Sequence, residues 1–156
     1  MKKRIVQEDF FGCAVACLAM AVGVDYKTMR KEVGRYWAAV HPFDRYDGLD
    51  HKDEEIILYI FGYRLLGARA IKGRDLRSYV GNLPAILTVP AINVMEHFHA
   101  VYWDGKKVHD PSPLKVYSTA AAWKSAISAG VVSRLLCANR YPLRGIDGKR
   151  IIDGNA

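Results

Sequence analysis

The apolar positions follow two different rhythms along the chain, and the change falls near residue 63. From Cys13 to Val22 the sequence reads Cys-Ala-Val-Ala-Cys-Leu-Ala-Met-Ala-Val, with no polar side chain on any face. A helix apolar all round is a buried one. The pattern predicts a helix starting near Phe11 or Gly12 and closing at Gly23, a residue type suited to a helix C-terminus. Asp25 is placed to cap a second, amphipathic helix from Tyr26 to about Val33, stopping at Gly34. Tyr36 to Leu49, rich in aromatics, Gly, Pro and Asp, reads as a long loop. A third helix, about Lys52 to Phe61, opens with Asp53, Glu54 and Glu55, whose charges suit the positive end of a helix, and stops at Gly62.

Beyond that point the runs shorten and alternate. Tyr63 to Ala70 reads as a strand, Gly73 to Val80 as a short helix, and Leu83 to Val89 as a buried strand. His97-Phe98-His99-Ala100-Val101-Tyr102-Trp103, then Asp104-Gly105, then Lys106-Lys107-Val108-His109-Asp110 carries a strong hairpin signal. Ser118 to Ala129 reads as a helix and Val131 to Ala138 as a last strand. Helices first and a mostly antiparallel sheet after them define an α+β domain, here residues 1–140. The Gly- and charge-rich residues 141–156 read as a loosely ordered tail.

The hairpin brings chemistry with it. If Asp104 and Gly105 form a two-residue loop, Trp103 faces Lys106, Val101 faces Val108, and His99 faces Asp110. A carboxylate opposite an imidazole accepts its N–H, fixes the tautomer and stabilises the imidazolium. By the same count His97 faces Ser112 and His109 turns to the other face. His97 shares the face of His99 and competes with it as a base.

Composition narrows what such a pair can serve. The chain has 156 residues, 51% of them apolar and 25% charged, a globular balance with room for one core. No run of about 18 apolar residues is present, so no helix is expected to span a membrane. The charged start, Met1-Lys2-Lys3-Arg4, and the late apolar run do not form a signal peptide. The net charge of +7 comes from lysines and arginines scattered along the chain. A solvated basic face is expected rather than a nucleic-acid stripe. Three cysteines without an export signal argue against a disulfide framework and for a reduced, cytoplasmic setting.

Each thiol then needs its own account. Cys17 lies one turn into the apolar helix, where it acts as a small hydrophobe, and Cys137 falls in the last strand. Cys13 opens the helix just after Gly12, where backbone N–H groups stabilise a thiolate. Gly12 is expected to let the chain turn tightly into the helix.

Gln7-Glu8-Asp9-Phe10-Phe11-Gly12-Cys13-Ala14-Val15-Ala16-Cys17-Leu18-Ala19-Met20 resembles the nucleophile motif of the C39-like branch of papain-like cysteine peptidases. His99-Ala100-Val101, with Val108-His109-Asp110-Pro111, resembles the second block of that family. Gly48-Leu49-Asp50 and Gly62-Tyr63 are similar to its middle segment. The resemblance spans roughly residues 5 to 115 and implies a papain-like fold. It also implies a thiol peptidase that takes a peptide or protein substrate and needs no cofactor or metal. By position it makes Cys13 the nucleophile, His99 the base, Asp110 the orienting acid and Gln7 the side-chain donor of the oxyanion hole. The residue after the nucleophile is often glycine in the family and is Ala14 here. A short chain of this kind suits a bacterial or phage protein.

Other readings use the same residues. One at a time, a cysteine in an apolar helix is core, a strand histidine packs, and an Asp-Pro pair marks a turn. Cys13 and Cys17 on one helix face, with His97 and His99 on one strand face, could form a Cys2His2 zinc module. The same fold could bind peptides without cutting them. The same triad could also pass its acyl group to an amine rather than to water. The Gln7–Cys13 interval and the His99–Asp110 pairing favour the hydrolase.

Overall fold

A computed structural model describes residues 3–68, 75–92, 97–126 and 132–137 of the chain. Helix α1 spans Cys13–Val22, α2 Tyr26–Val40 and α3 His51–Ile60; strand β1 spans Tyr63–Ala68, followed by α4, Asp75–Val80. Strands β2 (Ala85–Pro90), β3 (Phe98–Trp103) and β4 (Val108–His109) come next, then α5 (Thr119–Ser125) and β5 (Val132–Cys137). The strands form one sheet in the order β1-β5-β2-β3-β4, with every neighbouring pair antiparallel. The fold is α+β, with the helices gathered early, as the apolar rhythm predicts. The ends expected for the β1 and α5 segments, the start expected for α4, and the 141–156 tail lie outside the described residues.

Alternation along β3 divides the core. Ala100 and Tyr102, with Ile86 of β2, pack against the buried face of α1 and against Met29, Val33, Ile57 and Leu58 of α2 and α3. Val101 and Trp103, with Ala85, Leu87 and Val89, pack on the other side against Val80 of α4 and Ala122 of α5. The sheet is therefore covered on both faces. Helix α1 is the innermost element, with Val15, Ala16, Cys17, Leu18, Ala19 and Ala21 wholly buried.

Local chemistry sets the helix ends. Gly23 closes α1 in the left-handed region, φ 89°, and its N–H donates to the Ala19 carbonyl. The Asp25 carboxylate caps α2 by accepting from the Thr28 N–H at 2.7 Å. Helix α3 starts on a reciprocal box: Asp50 accepts from the Asp53 N–H at 2.9 Å, and Asp53 accepts from the Asp50 N–H at 3.1 Å.

Two expectations fail. Helix α2 does not stop at Gly34 but continues to Val40, so the loop begins at His41 and not at Tyr36. A glycine inside a helix costs about 1 kcal/mol against alanine, and here tertiary contacts outweigh it. Tyr36 is buried and donates to Asp53 Oδ1 at 2.6 Å, and Trp37 stacks on His41 with ring centroids 4.2 Å apart. The hairpin loop is also longer than two residues. Trp103 pairs with Val108 and Tyr102 with His109, a register shifted by two from the expected one. The cause is Asp104, whose Oδ1 accepts from the Lys106 and Lys107 N–H groups at 2.8 and 2.9 Å and whose own N–H reaches the Lys107 carbonyl.

Candidate active site

The register change decides how the site is assembled. In the observed pairing His99 does not lie straight across from Asp110, because β4 ends at His109. A slip of two residues preserves the face on which side chains emerge, whereas a slip of one reverses it. Asp110 therefore stays on the side of Val101 and His99, as a diagonal neighbour within reach of an imidazole. His99 Nε2 and Asp110 Oδ1 are 2.7 Å apart, with side chains 15% and 2% exposed. The expected pair is present; the straight cross-strand pairing expected to make it is not.

Asp110 is held by more than histidine. Its Oδ1 accepts from the Ser112 N–H and its Oδ2 from the Tyr117 N–H, both at 2.8 Å. Burial opposes its charge, but the bonds from His99, Ser112 and Tyr117 hold its pKa below the usual carboxylate value. The Tyr117 ring lies over His99, centroids 6.3 Å apart and planes 19° from parallel, and its hydroxyl donates to the Pro90 carbonyl.

Cys13 is the first residue of α1 and is half-buried. Gly12 precedes it without offering a side-chain cap, and the Ala14 N–H acts on the sulfur. Gly12 is required here by space and not by an unusual turn: its φ is −90°, and a Cβ would stand 2.1 Å from Tyr26 Oη. The Tyr26 hydroxyl donates to Asp9 Oδ2 at 2.9 Å, the atom that also receives Arg30 Nε at 2.9 Å. The Tyr46 hydroxyl donates to the Phe11 carbonyl at 3.2 Å. Residues 9–12 are thus fastened to α2 and to the loop after it.

The electrostatics of Cys13 and His99 run in opposite directions. Burial would raise the Cys13 pKa, but hydrogen bonding to His99, the Ala100 N–H, the His99 charge and the Ala14 N–H together lower it. Burial likewise opposes the His99 charge, yet hydrogen bonds to Asp110 and Cys13 and the charges of both push it up to about 9. Because Asp110 holds Nε2, Nδ1 is the ring nitrogen left for the sulfur. A lowered thiol beside a raised imidazole favours passage of the thiol proton to the ring. Cys17, wholly buried, has its pKa raised well above the ordinary value by burial, and then by the Cys13, Glu54 and Asp110 charges. The side chain of Cys137 lies outside the described residues.

Gln7 reaches the site by its backbone: its N–H donates to the Pro111 carbonyl at 2.9 Å. Its side-chain Nε2 donates to the carbonyls of Asp9 and Phe10 at 2.9 and 3.2 Å, and Oε1 is buried without a partner. His97 is exposed, and no described contact ties it to Cys13 or Asp110. His109 is buried in a separate pair with Asp104, Nε2 to Oδ2 at 2.7 Å. Among the described residues no group of three or more His, Cys, Asp or Glu is placed to hold a metal ion. Cys17 faces the core and His97 the solvent, so the Cys2His2 arrangement does not assemble.

Several residues of the site carry no mark in the sequence. Tyr117 and Ser112 act on Asp110 through backbone N–H groups, which any residue could supply. Glu54, in the first turn of α3, is buried within electrostatic reach of Cys13; burial, then the charges of Cys13, Asp50 and Asp53, push it up to about 8. Tyr36, His41 and Asp53 form a further, partly buried network, with His41 Nε2 2.9 Å from Asp53 Oδ1. The acidic opening of the third helix, where Asp53 stands, was its one legible sign. The chain matches no protein-family model, and no curated protein is significantly similar to it. Among the described residues no helix is long and apolar enough to cross a membrane.

Proposed function

We propose that the protein is a thiol hydrolase that forms an acyl-enzyme on Cys13. More specifically, we propose a cysteine peptidase of the papain-like, C39-like type, cutting a peptide or isopeptide bond in a peptide or protein substrate. The observation that carries this reading is the His99–Asp110 pair, 2.7 Å long with Asp110 buried, set within electrostatic reach of Cys13 at the start of α1. Supporting it are the place of Cys13 at the start of α1 and the motif residues from Gln7 to Met20.

As the Cys13 thiol passes its proton to His99 Nδ1, the sulfur attacks the carbonyl carbon, and negative charge moves to the oxygen. The Cys13 N–H is one donor for that oxyanion. Gln7 Nε2 becomes the second by giving up the longer of its two carbonyl bonds, that to Phe10 at 3.2 Å. His99 Nδ1 protonates the leaving amine as the C–N bond breaks, which leaves a thioester. Nδ1 then takes a proton from water, whose oxygen attacks the thioester, and the sulfur leaves. Asp110 keeps the ring oriented throughout and stays ionised. The lowered thiol beside a raised imidazole sets this reading apart from a silent peptide-binding domain, which has no use for an activated thiol.

Mass spectrometry after brief exposure to iodoacetamide at pH 6.5 tests the reading. A single label on Cys13 is expected, forming faster than on glutathione, and none on Cys13→Ala. Labelling of Cys17 or Cys137 in its place, or a rate no faster than glutathione, sinks it. Digestion of a peptide library should give products that the Cys13→Ala protein does not form.

A further inference from the structure

Resting on the triad reading above, the structure assigns Arg4 a positioning role: its guanidinium, with the Gln7 backbone, mounts the turn that carries Asp110. Arg4 Nε donates to the Asp110 carbonyl at 2.6 Å, and a terminal nitrogen of the same group donates to the Ser112 carbonyl. Between them, the Pro111 carbonyl accepts from the Gln7 N–H at 2.9 Å. Three successive carbonyls of the turn are therefore held by residues 4 to 7, more than 100 positions away in the chain. A planar guanidinium can bridge two carbonyls as a fork, which a lysine ammonium cannot reproduce.

This mounting matters because Asp110 has no strand to hold it. β4 ends at His109, and the turn enters an aspartate-proline segment with no ladder partner at its carbonyls. The Asp110 carboxylate is itself occupied by His99, Ser112 and Tyr117, so Arg4 acts on the backbone and not on the charge. The same short arm leads through Gln7 and Asp9 to Cys13. Displacing it shifts the acid relative to the nucleophile, and the imidazole between them follows.

The test is the pH profile of Cys13 alkylation by iodoacetamide in the full chain, with urea unfolding run on every variant. Arg4→Lys keeps the charge and most of the stem but loses the fork. Its labelling rate at pH 6.5 is expected to fall about tenfold, with the profile midpoint displaced about one unit toward higher pH. In an Asp110→Asn background the same substitution is expected to add nothing, since Arg4 works through Asp110. A profile for Arg4→Lys that superimposes on wild type overturns the positioning role, as does a full additional loss in the Asp110→Asn background. Arg4→Ala serves as the stronger variant where it folds; where it does not, the Arg4→Lys profile decides. A wild-type Cys13 no faster than glutathione would instead overturn the hydrolase reading itself, a result separable from the others.

Discussion

One hairpin carries two histidine–carboxylate pairs of equal length, His99–Asp110 and His109–Asp104, each 2.7 Å and each largely buried. By distance and residue type they are indistinguishable. What separates them is the surroundings of each ring. His99 is shared with the Cys13 thiol and lies under Tyr117 beside the start of α1. His109 packs near Tyr102, ring centroids 6.2 Å apart, and its carboxylate spends its other oxygen on the Lys106 and Lys107 N–H groups. The second pair pins a loop, and burial notwithstanding, those bonds bring Asp104 down to about 2. An imidazole–carboxylate contact is a structural fastener until a nucleophile meets the ring's other nitrogen.

The comparison breaks first, and hardest, at the histidines. His99→Ala should return Cys13 toward an ordinary thiol and slow alkylation at pH 6.5 by about 100-fold. His109→Ala should leave that rate within about twofold while lowering urea stability by about 1–3 kcal/mol, because Asp104 loses a buried partner. Equal effects of the two on labelling would show that the pairs do not differ in role. Next come the carboxylates. Asp110→Asn should slow labelling at pH 6.5 by about tenfold and bring the titration of His99 down from about 9, which a histidine-resolved NMR titration would record. Asp104→Asn should move stability and not the profile.

Glu54 tests the surroundings rather than the pair. Its pKa in the fold, about 8, lies above the ordinary glutamate value of 4.5, so the native state binds the extra proton between those limits. Stability from this site is whole below pH 4.5 and is lost as pH rises toward 8. Glu54→Gln should therefore remove a decline in urea stability across that interval, and curves that stay parallel from pH 5 to 8 would contradict the assignment. The smallest effect is expected at Gly12. Gly12→Ala forces a methyl against Tyr26 Oη and should cost about 1–3 kcal/mol, part of it recovered by Tyr26→Phe, as measured by thermal unfolding.

How far the sequence disclosed this arrangement depends on the range of the forces involved. Helix α1, its Gly23 terminus and the Asp25 cap are local, set by residues within a turn of each other, and were legible. So was the place of Cys13 at the start of that helix, just after Gly12. His99 and Asp110 were identified through a register that the molecule does not use. The inference survived because the slip was by two, which keeps parity. The end of α2 was misjudged because Gly34 is a local signal, whereas Tyr36 is held by Asp53 from the next helix. Arg4 and Tyr117 had no sequence signature at all. Their partners are backbone atoms brought near by the whole fold.

The hydroxyl of Tyr26 resting where a side chain at position 12 would be has a consequence for inheritance. Positions 12 and 26 are sterically coupled. A lineage that replaces the glycine must first shorten or turn aside the tyrosine, which loosens Asp9 and the segment leading to Cys13. The residue immediately before Cys13 is thus set by its packing against α2. Among descendants of this sequence the glycine and the tyrosine should be kept or lost together.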